Sequence, residues 1–394
     1  MTDVSFVDVC TDSDLERYLS VEAESFGEPE AEIDAEGRAA REHALMRMLL
    51  AGDEVVAGYS LMGVGQFFGG RSVPAQAVAS VFVHPAWRRQ GIAGSLLADL
   101  VDAARGLGTG LAPLYASTTR LYRRYGWEVG DRTLWCRVRT DALSHLRGSG
   151  RARSRPGRSE LESFRRRFLP EYDGPFDRPE WWLDVHWDTE GKRDGRREYG
   201  WYEDGRLTGY VMLRESFEHR EVFIAVQDLV AETPDALRGL LGFLGGHEAQ
   251  VAEITIKRAG IHINELMYLL PDADKAVAVD GSISWMQRII DVDCAVQRRG
   301  WPGAPDSRLE LEISDPCAEQ PSRAVLEIAG GEGAVSTGGS GRIRCGLGAL
   351  SAWYSSRLTA REARRLSMLE ATDADVAVMD AVIARRPWWE PDYF

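Results

Sequence analysis

The chain has 394 residues and a formal net charge of −14, with 44% hydrophobic and 27% charged residues. This length predicts two or three domains with sizeable cores, and the excess of carboxylates argues against nucleic acid and favours a polycationic partner. Because no 18-residue apolar run and no basic leader segment occur, we expect a cytoplasmic protein without membrane contact. The five cysteines and seven histidines are scattered, which predicts reduced thiols and no metal site.

An acidic run begins near the end of the first predicted helix, which spans residues 12–25, and continues beyond it. Residues 22–36 contain seven carboxylates and no Lys or Arg. Such a run is usually a solvated loop, and the alternative is an acidic wall over an amine-binding cleft. We weigh these two interpretations equally. A second helix is predicted at about 35–50, followed by hairpin strands with turns at Gly52 and Gly69-Gly70.

The stretch that follows combines a strand, a glycine-bearing turn and a helix. The apolar strand Val78–Val83 stops at Pro85, and Arg88-Arg89-Gln90-Gly91-Ile92-Ala93 opens a helix with one apolar face. The helix N-terminus would present unpaired N–H groups to an anion, while Gly91 and Ala93 allow close approach and the arginines add charge. Neither a P-loop signature nor a Gly-x-Gly-x-x-Gly run occurs at this turn.

A second motif occupies residues 114–128 and predicts a strand, a short helix, a Gly126-Trp127 break and another strand. Together the two motifs resemble those of the GNAT acyltransferases. The resemblance implies acetyl-coenzyme A as cosubstrate, its pantetheine on the edge of the strand and its pyrophosphate on the turn. It assigns Tyr122 as the general acid for the coenzyme A thiolate, with Tyr125 as a packing residue. The implied cofactor-binding residues are Val81, Phe82, Val83, Arg88, Arg89, Gln90, Gly91, Ile92, Ala93 and Ser117.

The middle of the chain partly repeats the first part. After a strand over 131–138 and a polar stretch over 147–158 that indicates a linker or surface crossing, residues 203–213 resemble residues 52–62. A strand near 223–230 and a helix near 236–244 follow in the same order. The turn between them holds two carboxylates and lacks the Arg-x-x-Gly pattern, so we predict a degenerate GNAT domain without a cofactor site.

The last region predicts strands at 308–313, 324–328 and 342–347 and helices at about 346–355 and 373–386, with Pro387 as the stop. This pattern resembles sterol-carrier-protein-2-like domains. The chain then ends Trp388-Trp389-Glu390-Pro391-Asp392-Tyr393-Phe394. Chain ends are normally polar, so the aromatic residues predict a tail that is anchored, either for stability alone or at a site.

The order of parts resembles the Eis (enhanced intracellular survival) family of N-acetyltransferases over essentially the whole chain. It implies an α/β (α+β) fold with a GNAT domain at 1–150, a degenerate GNAT domain at 151–285 and a sterol-carrier-like domain at 286–394. It further implies a homohexamer, and the Phe394 carboxylate in the active site as a base or as a group that steers the ammonium. The segment after the first helix borders the acceptor site in GNAT folds, which makes Glu22, Glu24, Phe26 and Glu28 candidate substrate contacts.

The expected activity is acetylation of primary amines on a polycationic, aminoglycoside-like molecule, at one or several positions. Two alternatives remain open at this point. The first is a protein-lysine acetyltransferase, whose acceptor cleft would be open and shallow, or a polyamine acetyltransferase. The second is a binding module that senses acetyl-coenzyme A, with an apolar ligand in the third domain.

Overall fold

A computed structural model describes residues 4–28, 41–182, 196–218, 221–257 and 263–392. The first part of the chain forms six strands and four helices within these residues: β1 Val4–Asp8, α1 Asp12–Phe26, β2 Ala44–Ala51, β3 Glu54–Phe68, β4 Arg71–Val83, α2 Ile92–Gly106, β5 Leu111–Ala116, α3 Thr119–Arg123, β6 Glu128–Arg139 and α4 Thr140–Leu143. Helix α1 begins at a capping box formed by Thr11 and Asp14 and ends at Gly27 in the left-handed conformation.

The rest of the chain builds the remaining two parts. The middle part comprises β7 Arg151–Ser154, α5 Arg158–Phe168, β8 Phe176–Asp177, β9 Arg196–Glu203, β10 Arg206–Glu218, β11 Glu221–Ala231, α6 Pro234–Gly245, β12 Glu253–Lys257, α7 Ile263–Leu269, α8 Ala273–Ala276 and β13 Val277–Ile289. The last part comprises α9 Val292–Arg298, β14 Ser307–Ser314, β15 Ser322–Ala329, β16 Glu332–Thr337, β17 Ile343–Gly346, α10 Leu347–Tyr354, α11 Ala360–Arg365, β18 Leu369–Glu370 and α12 Asp373–Val382.

The first two parts share one sheet, which has 13 strands among the described residues. Strand β13 comes from the end of the middle part and inserts between β5 and β6 of the first part, antiparallel to both. Strand β6 then pairs with β12, which continues the sheet into the middle part. The two parts are therefore joined through backbone hydrogen bonds, and neither has a complete sheet without the other.

The predicted repeat is confirmed in its topology. Strands β3 and β4 form an antiparallel hairpin, α2 crosses over, and β5 runs parallel to β4. Strands β10 and β11, helix α6 and strand β12 repeat this arrangement, with Ala225 of β11 beside Thr255 of β12 in a parallel pair. The sequence order of turn, strand and helix therefore identified a real structural duplication.

The last part is a five-stranded sheet with helices, and its core is continuous with that of the first part. Trp301, Leu309 and Tyr354 belong to the same buried cluster as Phe68 and Trp285. The backbones touch where α9 ends: the Gly300 N–H donates to the Phe68 carbonyl at 3.2 Å. No helix among the described residues is long and apolar enough to cross a membrane.

Several predicted elements were wrong in type or extent. Residues 44–50 of the predicted helix at about 35–50 belong to strand β2, because Met46 and Met48 pack into a core with α1 while both backbone edges pair, with β1 and β3. The predicted linker contains β7, an arginine-rich edge strand paired with β9. Helix α12 stops at Val382, four residues before the predicted end. Strand β13 runs from 277 to 289, through the predicted boundary at 285/286.

The contact between Gly69 and Gly300 generates a stability prediction. A Cβ at Gly300 would lie 2.1 Å from the Gly69 carbonyl oxygen, so Gly300→Ala must push two backbones apart. We expect a loss of about 1–3 kcal/mol in the free energy of unfolding, measured by denaturant titration. The control is Gly106→Ala at the end of α2, where nothing lies within 4 Å. It should be neutral or stabilising by up to about 1 kcal/mol. Equal losses in both variants would contradict the close-packed contact.

Candidate active site at a split in the sheet

Strands β4 and β5 are paired at one end and separate beyond it. Their parallel register consists of a single residue pair, Ala75 with Leu111. Strand β4 continues to Val83 while β5 follows β13, with Ala116 paired to Ser284. The edge of β4 that faces β5 therefore has no strand partner beyond Ala75 in the described part of the chain. This V-shaped split exposes backbone donors and acceptors along the segment that contains the predicted residues Val81, Phe82 and Val83.

The split opens toward the N-terminus of α2. Residues Arg89 and Gly91 have φ values of 64° and 85°, which turn the chain so that Gly91 caps the helix without a side-chain hydrogen bond. Among the described residues, the backbone N–H groups of residues 89–93 have no acceptor, and Arg88 to Gly91 are exposed. A 15-residue helix with open N–H groups at its positive end suits an anion such as a phosphate.

Arg88 contributes positive charge to the turn and also forms hydrogen bonds that connect the turn to α1. Its Nη2 donates to the Ser25 carbonyl at 2.7 Å and its Nε to the Val83 carbonyl at 3.2 Å. The guanidinium thus clamps the anion turn to the end of α1. Arg89 and Gln90 are exposed on the same turn, and the Gln90 amide donates to the Ala86 carbonyl at 3.1 Å.

The four predicted substrate contacts lie at the end of α1, next to β4 and the turn. The Glu24 carboxylate is 3.3 Å from Nε2 of His84, which follows β4 directly. Phe26 is half exposed and Glu28 is exposed. Burial raises the pKa of Glu22, while a hydrogen bond from Ser80 in β4 opposes the shift and the charge of Glu28 adds to it. Glu30, Glu32, Asp34 and Glu36 of the acidic run lie outside the described residues.

Tyr122 lies on α3 in the cluster that packs between the sheet and α2. The same cluster contains Val78 of β4 and Leu97 of α2, and the Tyr122 ring packs edge-on against Trp127 with 6.0 Å between the ring centroids. Burial raises the pKa of the Tyr122 phenol to about 12, so it stays protonated at neutral pH. Burial accounts for this shift without any hydrogen bond from the described residues, which leaves the hydroxyl able to donate. Ser117, at the end of β5, is exposed.

The turn after Tyr122 rests on a buried arginine that the sequence analysis did not identify. Gly126 has a φ of 87°, and a Cβ there would lie 2.1 Å from Nη1 of Arg288. Arg288, in β13, is fully buried and forms an ion pair with Asp315 of the last part at 2.9 Å. Trp127 anchors the same turn by donating to the Ala112 carbonyl at 2.8 Å. A charged residue beside the apolar residues Trp285, Met286 and Ile289 at the end of β13 is the signal that marks Arg288.

Tyr125 packs against the first turn of α2. A Cβ on Gly94 would lie 2.6 Å from the Tyr125 hydroxyl, so Gly94 provides the space for this ring. The position agrees with the interpretation of Tyr125 as a packing residue, although its phenol also lies close to the anion turn. Among the described residues, no group of three His, Cys, Asp or Glu side chains converges as a metal site.

The C-terminal segment returns toward the split. Tyr393 and Phe394 lie outside the described residues, so the position of the Phe394 carboxylate stays a prediction. Trp389, Glu390 and Asp392 are buried. Tyr115 is the next-to-last residue of β5, and its hydroxyl donates to the Glu390 carbonyl at 3.4 Å. The aromatic tail is therefore anchored next to the strand that forms one wall of the split.

The corresponding helix of the middle part has a closed N-terminus. The Thr233 hydroxyl caps α6 by accepting from the Ala236 N–H at 3.0 Å. The Asp235 carboxylate in its first turn accepts from the Ser149 and Gly150 N–H groups at 2.7 and 3.2 Å, and these bonds lower its pKa. An anion there would meet a carboxylate in place of open N–H groups.

Comparison with known proteins relates this geometry to families. Residues 7–130 and 174–289 match two families described as acetyltransferase (GNAT) domains, and residues 292–390 match the sterol carrier protein domain. An uncharacterized N-acetyltransferase of Streptomyces griseus is 27% identical over 365 residues, which cover 83% of each chain. A GCN5-related N-acetyltransferase from Anabaena variabilis has the same fold, with a TM-score of 0.89, 21% identity and full coverage of both chains. Eis1 from Mycobacterium abscessus superposes with a TM-score of 0.78, 21% identity and full coverage of both chains.

Proposed function

Because this protein is an acyltransferase with two GNAT domains followed by a sterol carrier domain, we propose that it acetylates primary amines of a polycationic small molecule, with acetyl-coenzyme A as donor. The observation that carries the proposal is the split between β4 and β5, which opens onto the uncapped N-terminus of α2. The exposed strand edge suits the amide-rich pantetheine, and the N–H groups of residues 89–93 suit the pyrophosphate.

The acceptor would approach from the end of α1. Glu22, Glu24 and Glu28 place carboxylates beside β4, and the whole chain carries a net charge of −14. A negative field attracts a polycation and raises its local concentration near the site. Polycationic antibiotics of the aminoglycoside type and polyamines share this chemistry, and we propose the former on the resemblance to the Eis family.

The reaction requires two proton transfers: the acceptor ammonium loses one proton, and the departing thiolate gains one. The acceptor ammonium loses a proton, its nitrogen attacks the thioester carbonyl carbon, and the C–S bond then breaks. We assign the proton on the departing thiolate to Tyr122, whose phenol is protonated at neutral pH. Backbone N–H groups of β4 would polarise the carbonyl. The Phe394 carboxylate, with a reference pKa of about 3.3–3.7, would steer the ammonium or accept its proton after burial raises that pKa.

A panel of acceptors tests the proposal. Release of coenzyme A thiol would be measured with aminoglycosides, polyamines and lysine peptides at equal concentrations. We expect the highest kcat/KM with aminoglycosides. A preference for lysine peptides or polyamines would favour the alternative acetyltransferase, and binding of acetyl-coenzyme A without turnover on any acceptor would favour a sensing module.

The anion turn leads to a prediction about binding of the donor. A side chain at Gly91 would strain its φ of 85° and cover the N–H groups, so Gly91→Val should raise the KM for acetyl-coenzyme A. The loss of one or two charge-assisted hydrogen bonds corresponds to about 10- to 100-fold. The control is Gly157→Val at the N-cap of α5, which has a φ of −65° and nothing within 4 Å. An unchanged KM in Gly91→Val would contradict the assignment of the turn.

The Tyr122 phenol leads to a prediction about turnover. Tyr122→Phe should lower kcat about 10²–10⁴-fold with little change in the KM for acetyl-coenzyme A. Since burial raises the pKa of Tyr122 to about 12, kcat of the native enzyme should not fall as the pH rises through about 10, the ordinary value for a phenol. Tyr125→Phe, on the same turn, is the matched control. If Tyr125→Phe abolished turnover and Tyr122→Phe did not, the acid would be Tyr125.

A further inference from the structure

The Gly126-Trp127 turn is tied to the residue that carries the phenol. The Trp127 N–H donates to the Tyr122 carbonyl at 3.2 Å, and the Tyr125 N–H donates to the same carbonyl at 2.9 Å. The Trp127 side chain is fully buried, and its ring packs edge-on against the Tyr122 ring. Because a backbone bond and a ring contact both join Trp127 to Tyr122, a displacement of this turn would also displace the phenol.

The buried guanidinium of Arg288 lies directly against this turn. Its Cζ is 5.4 Å from the centroid of the Trp127 ring, and a Cβ on Gly126 would lie 2.1 Å from its Nη1. Among the described residues, Nη1 and Nε of Arg288 have no hydrogen-bond acceptor. The orientation of the guanidinium therefore depends on its remaining nitrogen, Nη2.

Asp315 of the sterol carrier domain binds that remaining nitrogen. Its two carboxylate oxygens accept from Nη2 of Arg288 at 3.0 and 2.9 Å. The carboxylate is itself held by the Cys317 N–H at 2.9 Å and by Nη2 of Arg105, near the end of α2, at 2.7 Å. Removing one member of a buried ion pair leaves the other as an uncompensated charge, which is strongly unfavourable. Arg288 therefore depends on Asp315 to keep its place under the turn.

We infer that the sterol carrier domain takes part in acetyl transfer through Asp315, whose ion pair with Arg288 positions the Tyr122 phenol for the departing thiolate. This inference rests on the proposed function, because it requires that Tyr122 donates the proton. In that step the C–S bond breaks, its electron pair stays on sulfur, and the proton moves from the Tyr122 oxygen to the sulfur. Asp315 and Arg288 are positioning residues, which act through the turn and transfer no proton themselves.

The experiment measures kcat and the KM for acetyl-coenzyme A in the full-length enzyme with Asp315→Asn, Arg288→Met or Arg288→Lys. Each substitution is made alone and together with Tyr122→Phe. A misplacement of about 1 Å can cost on the order of 100-fold, so we expect Asp315→Asn and Arg288→Met to lower kcat about tenfold or more at an unchanged KM. Arg288→Lys keeps the charge and should lose less. Together with Tyr122→Phe, none of the three should lower kcat further, because the phenol that they position is already absent.

Arg105→Gln is the matched control, because Arg105 is the second arginine on the same carboxylate. Its side chain is 35% exposed, and Asp315 keeps its bonds to Arg288 and Cys317 when this pair is broken. Exposed ion pairs contribute little to stability, so kcat should stay unchanged. If a single variant does not fold, Arg288→Met combined with Asp315→Asn removes both charges and leaves neither unpaired. This double variant should show the same loss of kcat, and again no further loss with Tyr122→Phe.

The outcomes separate the inference from the proposed function. A purely structural pair would lower kcat by the same factor with Tyr122 and with Tyr122→Phe, and that result would overturn the inference. An unchanged kcat in Asp315→Asn, or a change confined to the KM for acetyl-coenzyme A, would also overturn it. In both cases a large effect of Tyr122→Phe would leave the proposed acid intact. An unchanged kcat in Tyr122→Phe alone would instead overturn the assignment of the acid, and the inference with it.

Discussion

The insertion of β13 between β5 and β6 is the constraint on which the rest of the structure depends. Strand β5 has a single register pair with β4 but pairs with β13 over six residues, from Leu111 to Ala116. Strand β5 therefore runs along β13 while β4 diverges from it beyond Ala75. The same strand carries Arg288 to the underside of the Gly126 turn and leads directly into the sterol carrier domain. A single strand thus pairs with β5 at the split, supports the turn after Tyr122 and links all three parts.

The two GNAT domains show how the same topology gives an open and a closed helix N-terminus. In the first, Gly91 leaves the N–H groups of α2 unpaired, and Arg88 holds the turn to the end of α1 by donating to the Ser25 carbonyl. In the second, Thr233 and Asp235 occupy the equivalent place on α6. Both helices follow an antiparallel hairpin and precede a parallel strand, so the two domains differ in the chemical groups at the helix N-terminus and not in topology. Under the proposed function, this difference in electrostatics at one helical turn is the reason that the pyrophosphate binds at the first domain and not at the second.

Local patterns in the sequence predicted the structural features that depend on residues close together in the chain. The turn at Gly91, the short helix of Tyr122, the duplicated hairpin and the strands of the last part all depend on spacings of a few residues, and each is present. The sequence could not predict contacts between distant segments: the pairing of β13 with β5, the Arg288–Asp315 pair under Gly126, or the docking of Asp392 on Arg178. Strand β2 was mistaken for a helix because its pairing with β1 and β3 outweighs the helical preference of its Leu and Met residues.

We propose that the chain binds acetyl-coenzyme A between the split and α2, and not at the corresponding place in the middle part. Hydrogen exchange with and without desulfo-coenzyme A, a non-reactive analogue of the donor, tests it most directly. We expect slower exchange of the backbone N–H groups of residues 89–93 and of the edge of β4 that faces β5, with no change at residues 233–240 of the middle part. Protection at residues 233–240, or no protection at residues 89–93 under saturating analogue, would contradict it.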